Sequence, residues 1–316
     1  MTIPKNTASL TSRRQFCTTV AATASASVVG MPARSAEENQ KPRLNYILSS
    51  AMYGYTALEE ILPEVQKTGA TAIDIWPKVH GNQREQIDEM GFNRFVDLLR
   101  KHDVRLGAIT CYSLGPFNLQ KEMQIAKRLG GHGVTLVCGA RGPKDLSGTE
   151  LKSAVADFSE KLKPHVEAAR SLGCKIAIEN HANSLIHTHD SILWFAEMAH
   201  SSSLGLAFAP HHLPQDAEKI ASLAGAVCRK IFLFYAQQHG MGSSQKLPQD
   251  QMLTQMPGRG PLDFAPIMKN LIRHDYRGLT EIFMHPVPRG IPILDTTPAI
   301  TEEINRSRAY LDKCLE

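Results

Sequence analysis

Apolar and polar positions along the chain alternate between short dense runs and longer periodic stretches. The dense runs, bounded by polar turns, predict buried strands at 43–50, 70–76, 104–111, 133–138, 175–180, 204–209, 231–236 and 278–283. Each is followed by apolar residues at helical spacing, which predicts helices near 56–68, 85–102, 117–130, 149–172, 190–200, 216–229, 262–274 and 298–314. In 85–102, Ile87, Met90, Phe95, Leu98 and Leu99 share one broad face before His102 and Asp103 end the run. In 149–172, Leu151, Val155, Phe158, Leu162 and Val166 recur up to Gly173, with Pro164 expected to bend the helix. Pro298 suits the first turn of the C-terminal helix. Eight strand-then-helix units predict a single-domain α/β fold, a (β/α)8 TIM barrel over 43–316. An open doubly wound sheet fits less well, because no Gly-rich phosphate loop follows the first strand. The longest insert, His239 to Pro261, follows the seventh strand and so falls on the face where barrel active sites are built.

The N-terminal stretch changes the picture of where the protein works. Ser12-Arg13-Arg14-Gln15-Phe16 is a twin-arginine signature, followed by a weakly apolar run to Gly30 and small residues at Ala33 and Ser35. This layout predicts a bacterial export leader over 1–35, a polar linker over 36–42, and a periplasmic or otherwise exported mature chain. The leader carries Lys5, Arg13, Arg14 and Arg34 and no acid, so its removal leaves 31 basic residues against 31 acidic ones. A neutral mature chain shows no global electrostatic footprint for nucleic acid, and none is expected as a partner. No apolar run of the mature region is long enough to span a membrane. Cys111, Cys138, Cys174, Cys228 and Cys314 are widely spaced and odd in number, which argues for small buried hydrophobes rather than a disulfide framework.

Strand side chains alternate, so the inward-facing residues can be named. They are Ala72, Asp74 and Trp76 on the second strand, and Ala177 and Glu179 on the fifth. Ala207, Ala209 and His211 follow on the sixth, Leu233, Tyr235 and Gln237 on the seventh, and Leu279 and Glu281 on the eighth. Lys175-Ile-Ala-Ile-Glu-Asn-His181 and Gly278-Leu-Thr-Glu-Ile-Phe-Met-His-Pro286 each carry one acid and then one His out of the core, which suggests a shared site. Inward carboxylates beside imidazoles suit a divalent metal (Mn, Mg, Co or Zn) holding a hydroxy-carbonyl substrate. They equally suit proton removal and return. His80, His181, His212, Gln237, His239, His285 and Arg289 are strand-end or loop candidates for substrate binding, and Trp76 and Tyr112 could stack on a sugar ring.

With Ile178-Glu-Asn-His181, Ala209-Pro-His-His212, Gly258-Arg-Gly-Pro-Leu-Asp-Phe264 and Tyr276-Arg-Gly-Leu-Thr-Glu281, the mature chain resembles the sugar phosphate isomerase/epimerase superfamily of xylose isomerase-like barrels, which also includes endonuclease IV. Phe234-Tyr-Ala-Gln-Gln-His-Gly240 and Glu281-Ile-Phe-Met-His-Pro286 look like an exported branch of it. The resemblance implies a metal-dependent site with Glu, Asp, His and Glu as usual ligands. Glu179 matches the first Glu, Glu281 the last, and His212 a substrate-binding His. The Asp position holds Ala209 and the strand-seven His position Tyr235, so the usual cage is incomplete; His211, Gln237 and His239 are the candidate substitutes.

The resulting expectation is an exported isomerase or epimerase acting on a free or keto-sugar through an enediolate. Glu179 and Glu281 would be the catalytic pair and Glu179, Glu281 and His211 the metal ligands. Substrate contacts are expected from His212, His181, Trp76, His80, Tyr235, Gln237, His239 and Arg289. A keto-sugar lyase or hydratase on the same site, a non-catalytic carbohydrate-binding barrel and an abasic-site nuclease are the competing classes.

Overall fold

The computed structural model describes residues 43–316. The leader and linker expected over 1–42 lie outside the described residues. Eight parallel strands close into a barrel in chain order, β8 pairing with β1. They are β1 (Asn45–Ser49), β2 (Ala72–Ile75), β3 (Arg105–Thr110), β4 (Thr135–Gly139), β5 (Lys175–Glu179), β6 (Leu204–Phe208), β7 (Ile231–Ala236) and β8 (Leu279–Ile282). Nearly every strand residue is buried, as a barrel covered by helices requires. At Gly107, a Cβ would meet Ile47 Cδ1 at 2.6 Å, so that position tolerates no side chain.

The helices are α1 (Leu58–Val65), α2 (Gln83–Met90), α3 (Phe92–Lys101), α4 (Gln120–Gly130), α5 (Gly148–Leu172), α6 (His189–Met198), α7 (Ala217–Val227), α8 (Gln249–Met252), α9 (Ala265–Arg273) and α10 (Thr297–Lys313). The single helix expected over 85–102 is two. Gly91 between them adopts φ 83° and ψ 146°, a conformation that glycine adopts without steric cost and that stops one helix before the next begins. The apolar face continues across the break, with Ile87, Phe95 and Leu99 all buried. Pro164 lies within α5 without ending it. α10 opens on a Thr296 cap, whose hydroxyl accepts from Ala299 N at 3.3 Å.

The insert after β7 is partly ordered by α8 and a 3-10 turn at Leu253–Gln255. Its Gly258-Arg259-Gly260 turn serves closure of the fold. Arg259 donates to both Glu303 oxygens, at 2.8 and 2.6 Å, and Arg306 adds a bond at 2.9 Å. Gly258, at φ 76°, packs on Tyr310 where a Cβ would come within 2.7 Å. The turn therefore straps the insert to α10. On the opposite flank, buried Arg84 of α2 makes a two-bond ion pair with Glu122 of α4, at 2.8 and 3.0 Å. The five cysteines of 43–316 are all free and buried.

Candidate active site

The site is assembled at the C-terminal ends of β5 and β6. Glu179 is the last residue of β5 and is 3% exposed. The next residue, Asn180, clamps the two strand ends together: its Nδ2 donates to Ala209 O at 2.9 Å and its Oδ1 accepts from Ala209 N at 2.8 Å. Ala209 leads into a 3-10 turn, Pro210–His212, which turns both adjacent imidazoles toward Glu179. His212 Nε2 lies 3.7 Å from Glu179 Oε1. One ligand atom from each of Glu179, His211 and His212 falls within 4.8 Å of the others.

These three residues fit a divalent ion. Both ring nitrogens of His211 are buried without a hydrogen-bond partner, which is costly for a polar group unless something bound there engages it. One carboxylate with two imidazoles is a donor set used for catalytic zinc and for non-haem iron. The four-ligand cage implied by the family resemblance is not reproduced, because Ala209 offers no side-chain ligand and the Tyr235 hydroxyl meets that of Tyr112 at 3.2 Å.

The imidazoles continue as a row. His181 and His211 each lie 4.0 Å from His212, His211 lies 6.2 Å from His285, and His285 lies 4.8 Å from His80, ring centre to ring centre. Burial holds these rings neutral. His212 is pushed down to about 3 and His80 to about 4, with His211 and His285 also well below the usual value. A cavity of about 370 Å³ opens over Glu179 and is walled by Tyr112, His181, His212, His285, Arg141 and Arg289. Arg289 is fixed by the carbonyls of Pro286 and Ser243, at 2.6 and 2.8 Å.

Burial raises the Glu179 carboxyl to about 8, partly offset by the neighbouring Tyr112 hydroxyl. Beneath lies a second acidic centre. Asp74 and Glu281 are both 0% exposed and within hydrogen-bonding reach of each other. Asp74 also accepts from Thr110 Oγ1 at 2.9 Å. Burial raises Asp74 to about 7 and Glu281 well above the carboxylate range, the neighbouring Asp74 charge adding to the latter. Two buried carboxyl groups so placed titrate as a pair.

The structure brings Glu179, His181, His212, His80 and Arg289 to one cavity. His211, Gln237 and His239 line an adjoining one. Glu281, expected opposite Glu179 and among the metal ligands, is not among the residues walling the cavity over Glu179 and faces Asp74 instead. Trp76 is 1% exposed and stacked on Phe283 at 4.8 Å, so it forms the floor beneath the mouth. Tyr235 belongs to that floor as well, at 1% exposure. Arg141 and the Asn180 clamp were not singled out from the sequence. Arg141 stands two residues past β4, where the strand-end rule would have found it.

A closed parallel eight-stranded barrel with a carboxylate and imidazoles at the C-terminal mouth defines the class: a (β/α)8 barrel with an enzyme-like site. Residues 62–310 match the xylose isomerase-like TIM barrel family, and the chain belongs to that family. Among solved structures, the IOLI protein with a binding zinc atom superposes with a TM-score of 0.66 at 16% identity, over 85% of this chain and 98% of that one. D-Psicose 3-epimerase with D-tagatose, from Clostridium cellulolyticum H10, gives 0.63 at 12% identity over 86% and 100%. The probable 3-DHS dehydratase AsbF of Bacillus anthracis gives 0.59 at 12% over 83% and 97%. At these identities the likeness is one of fold. No curated protein matched the sequence.

Proposed function

We propose that this protein is an isomerase or epimerase that moves a proton next to the carbonyl of a small sugar. The observation that carries the reading is Glu179: a carboxyl raised to about 8 by burial, at the floor of a 370 Å³ cavity, with His212 and Tyr112 beside it. A carboxylate near the working pH is a matched base for carbon acids next to a carbonyl. The structural neighbours named for zinc binding and for sugar epimerisation support the same reading.

Glu179 takes the proton from the carbon beside the carbonyl and returns it, on the same face, to the former carbonyl carbon of the enediolate, while a hydroxyl proton moves between the two oxygens. This completes an isomerisation; an epimerisation needs a second donor, such as a neighbouring imidazole or water, on the opposite face. The Tyr112 hydroxyl, neutral because burial holds it protonated, donates to the oxygen on which negative charge develops. Neutral His181 and His212 orient the substrate hydroxyls, and Arg289 closes the far wall. A divalent ion held by Glu179, His211 and His212 would supply Lewis-acid polarisation of the carbonyl. Asp74 and Glu281 lie outside this cavity and do not touch substrate; after burial, their nearby charge is what helps hold the Tyr235 hydroxyl protonated.

Incubating the protein with a panel of ketoses and aldoses and identifying the products tests the reaction. An isomer or epimer that is lost with Glu179→Gln is expected. An unsaturated or dehydrated product would assign a lyase or hydratase instead. We also propose that the chain works outside the cytoplasm, on the strength of Arg13-Arg14 and the apolar run after them. Arg13→Lys with Arg14→Lys should then leave full-length precursor in the cytoplasm.

A further inference from the structure

We propose that the mouth is a two-lobed site, and that its second lobe holds the neutral ring of a disaccharide or glycoside whose reacting ring lies over Glu179. This rests on the reading of the Glu179 lobe as a sugar site. The second lobe is a cavity of about 450 Å³ formed where β6 and β7 end. It shares His212 and Ser243 with the 370 Å³ cavity over Glu179. Each lobe alone is near the small end of ligand pockets, about 300–1,000 Å³. His212 is the partition: Glu179 lines the first lobe only and His211 the second only. The three groups that gather within 4.8 Å thus stand where the lobes meet, which is where a two-ring ligand carries its linkage.

The chemistry of the second lobe selects its occupant. Gln237 is 1% exposed, and its Oε1 has no donor. Its orientation is fixed, because Nε2 donates to Gln255 Oε1 at 2.9 Å. Gln255 is held in turn by His285, donating to its carbonyl and accepting from its N–H. An acceptor locked in place and unpaired calls for a donor from a ligand. His211, with one nitrogen turned to the ion, adds its other nitrogen as an N–H donor, and Ser243 and Ser244 bring hydroxyls. The lobe contains no carboxylate, lysine or arginine. Fixed uncharged donors and acceptors match a ring bearing several hydroxyls. The first lobe differs, with Glu179, Arg141 and Arg289 on its walls.

The test compares affinities by calorimetry for D-fructose and D-glucose against the keto-disaccharides isomaltulose and lactulose. Wild-type protein and Ser244→Trp are used, the latter filling the second lobe from an exposed position. At least one disaccharide should bind the wild type tenfold or more tightly than its component monosaccharides, and the ratio should fall toward one in Ser244→Trp. A melting curve equal to wild type shows that the variant is folded. Equal affinities for one and two rings, a preference that survives Ser244→Trp, or no binding by any of the four sugars would overturn the proposal. Preferred disaccharide binding without solvent-proton exchange would instead remove the isomerase reading and leave the second lobe standing. Exchange on fructose with no two-ring preference would do the reverse.

Discussion

His212 Nε2 stands 3.7 Å from Glu179 Oε1, although the two residues come from different strand ends. The Asn180 side chain supports this relationship by pairing with the Ala209 backbone across the ends of β5 and β6. The contact joins a carboxyl that burial pushes up to a ring that burial pushes down, so at neutral pH it is a close approach of mostly uncharged groups rather than an ion pair.

Tyr112→Phe should move the base. The nearby Tyr112 hydroxyl lowers the Glu179 pKa against the upward push of burial, so losing it lets the pKa rise. Catalysis needs the carboxylate, and kcat/KM is expected to climb with pH through about 8 in the metal-free wild type. In Tyr112→Phe that limb should lie higher, with turnover reduced by about 10²-fold or more through loss of the donor. A pH–rate profile unchanged in position would remove Tyr112 from contact with the base.

Asp74→Asn should change how stability depends on pH. Asp74 titrates near 7 when folded against 3.8 as an isolated side chain. The folded state therefore binds the proton more tightly, and its contribution is fully present below about 4 and lost as pH rises through 7. The asparagine keeps the shape and an acceptor for Thr110 while removing one of two buried acids. Thermal melting at pH 5 and pH 9 should show wild type losing more stability than the variant over that interval, by on the order of a few kcal/mol. Parallel pH dependence would mean that the two acids do not titrate as a pair.

Glu303→Gln should cost about 1–3 kcal/mol of stability without altering sugar affinity, because it weakens charged hydrogen bonds from Arg259 and Arg306 far from the mouth. Urea unfolding and sugar binding measured together check this. A specific loss of sugar affinity would give the Gly-Arg-Gly turn a role in the site.

Divalent-ion binding should depend on His211. In calorimetric titrations with zinc and manganese, His211→Ala should bind at least tenfold more weakly than wild type, while Glu281→Gln should not. The reverse ranking would place the ion at Glu281 and Asp74.

The barrel was legible because its evidence is local: each strand is a short apolar run and each helix a periodic one; seven strands fall within the predicted runs, and β4 extends one residue past its own, to Gly139. The break at Gly91 was not, since a glycine inside a periodic stretch reads equally as a tolerated residue. Period-two alternation placed Glu179 and Glu281 on inward faces, but not at the same depth. Glu281 sits in register beside Tyr235 of β7, and its partner Asp74 lies on a strand distant in sequence. Alternation placed His211 inward, but it could not foresee the 3-10 turn that brings His212 to the same site. Gly258-Arg259-Gly260 carried the family resemblance, yet its distinctive residues serve the packing of α10.

The most direct test of proton transfer by Glu179 is deuterium incorporation. Purified protein, with and without added divalent ion, is incubated in deuterated water with a panel of ketoses and keto-disaccharides, and the carbon next to the carbonyl is followed by NMR. Deuterium should appear at that carbon in wild type and fall by about 10²–10⁴-fold or more in Glu179→Gln, with sugar binding retained. Exchange at the wild-type rate in Glu179→Gln, or sugar bound by wild type and recovered without deuterium, would contradict it.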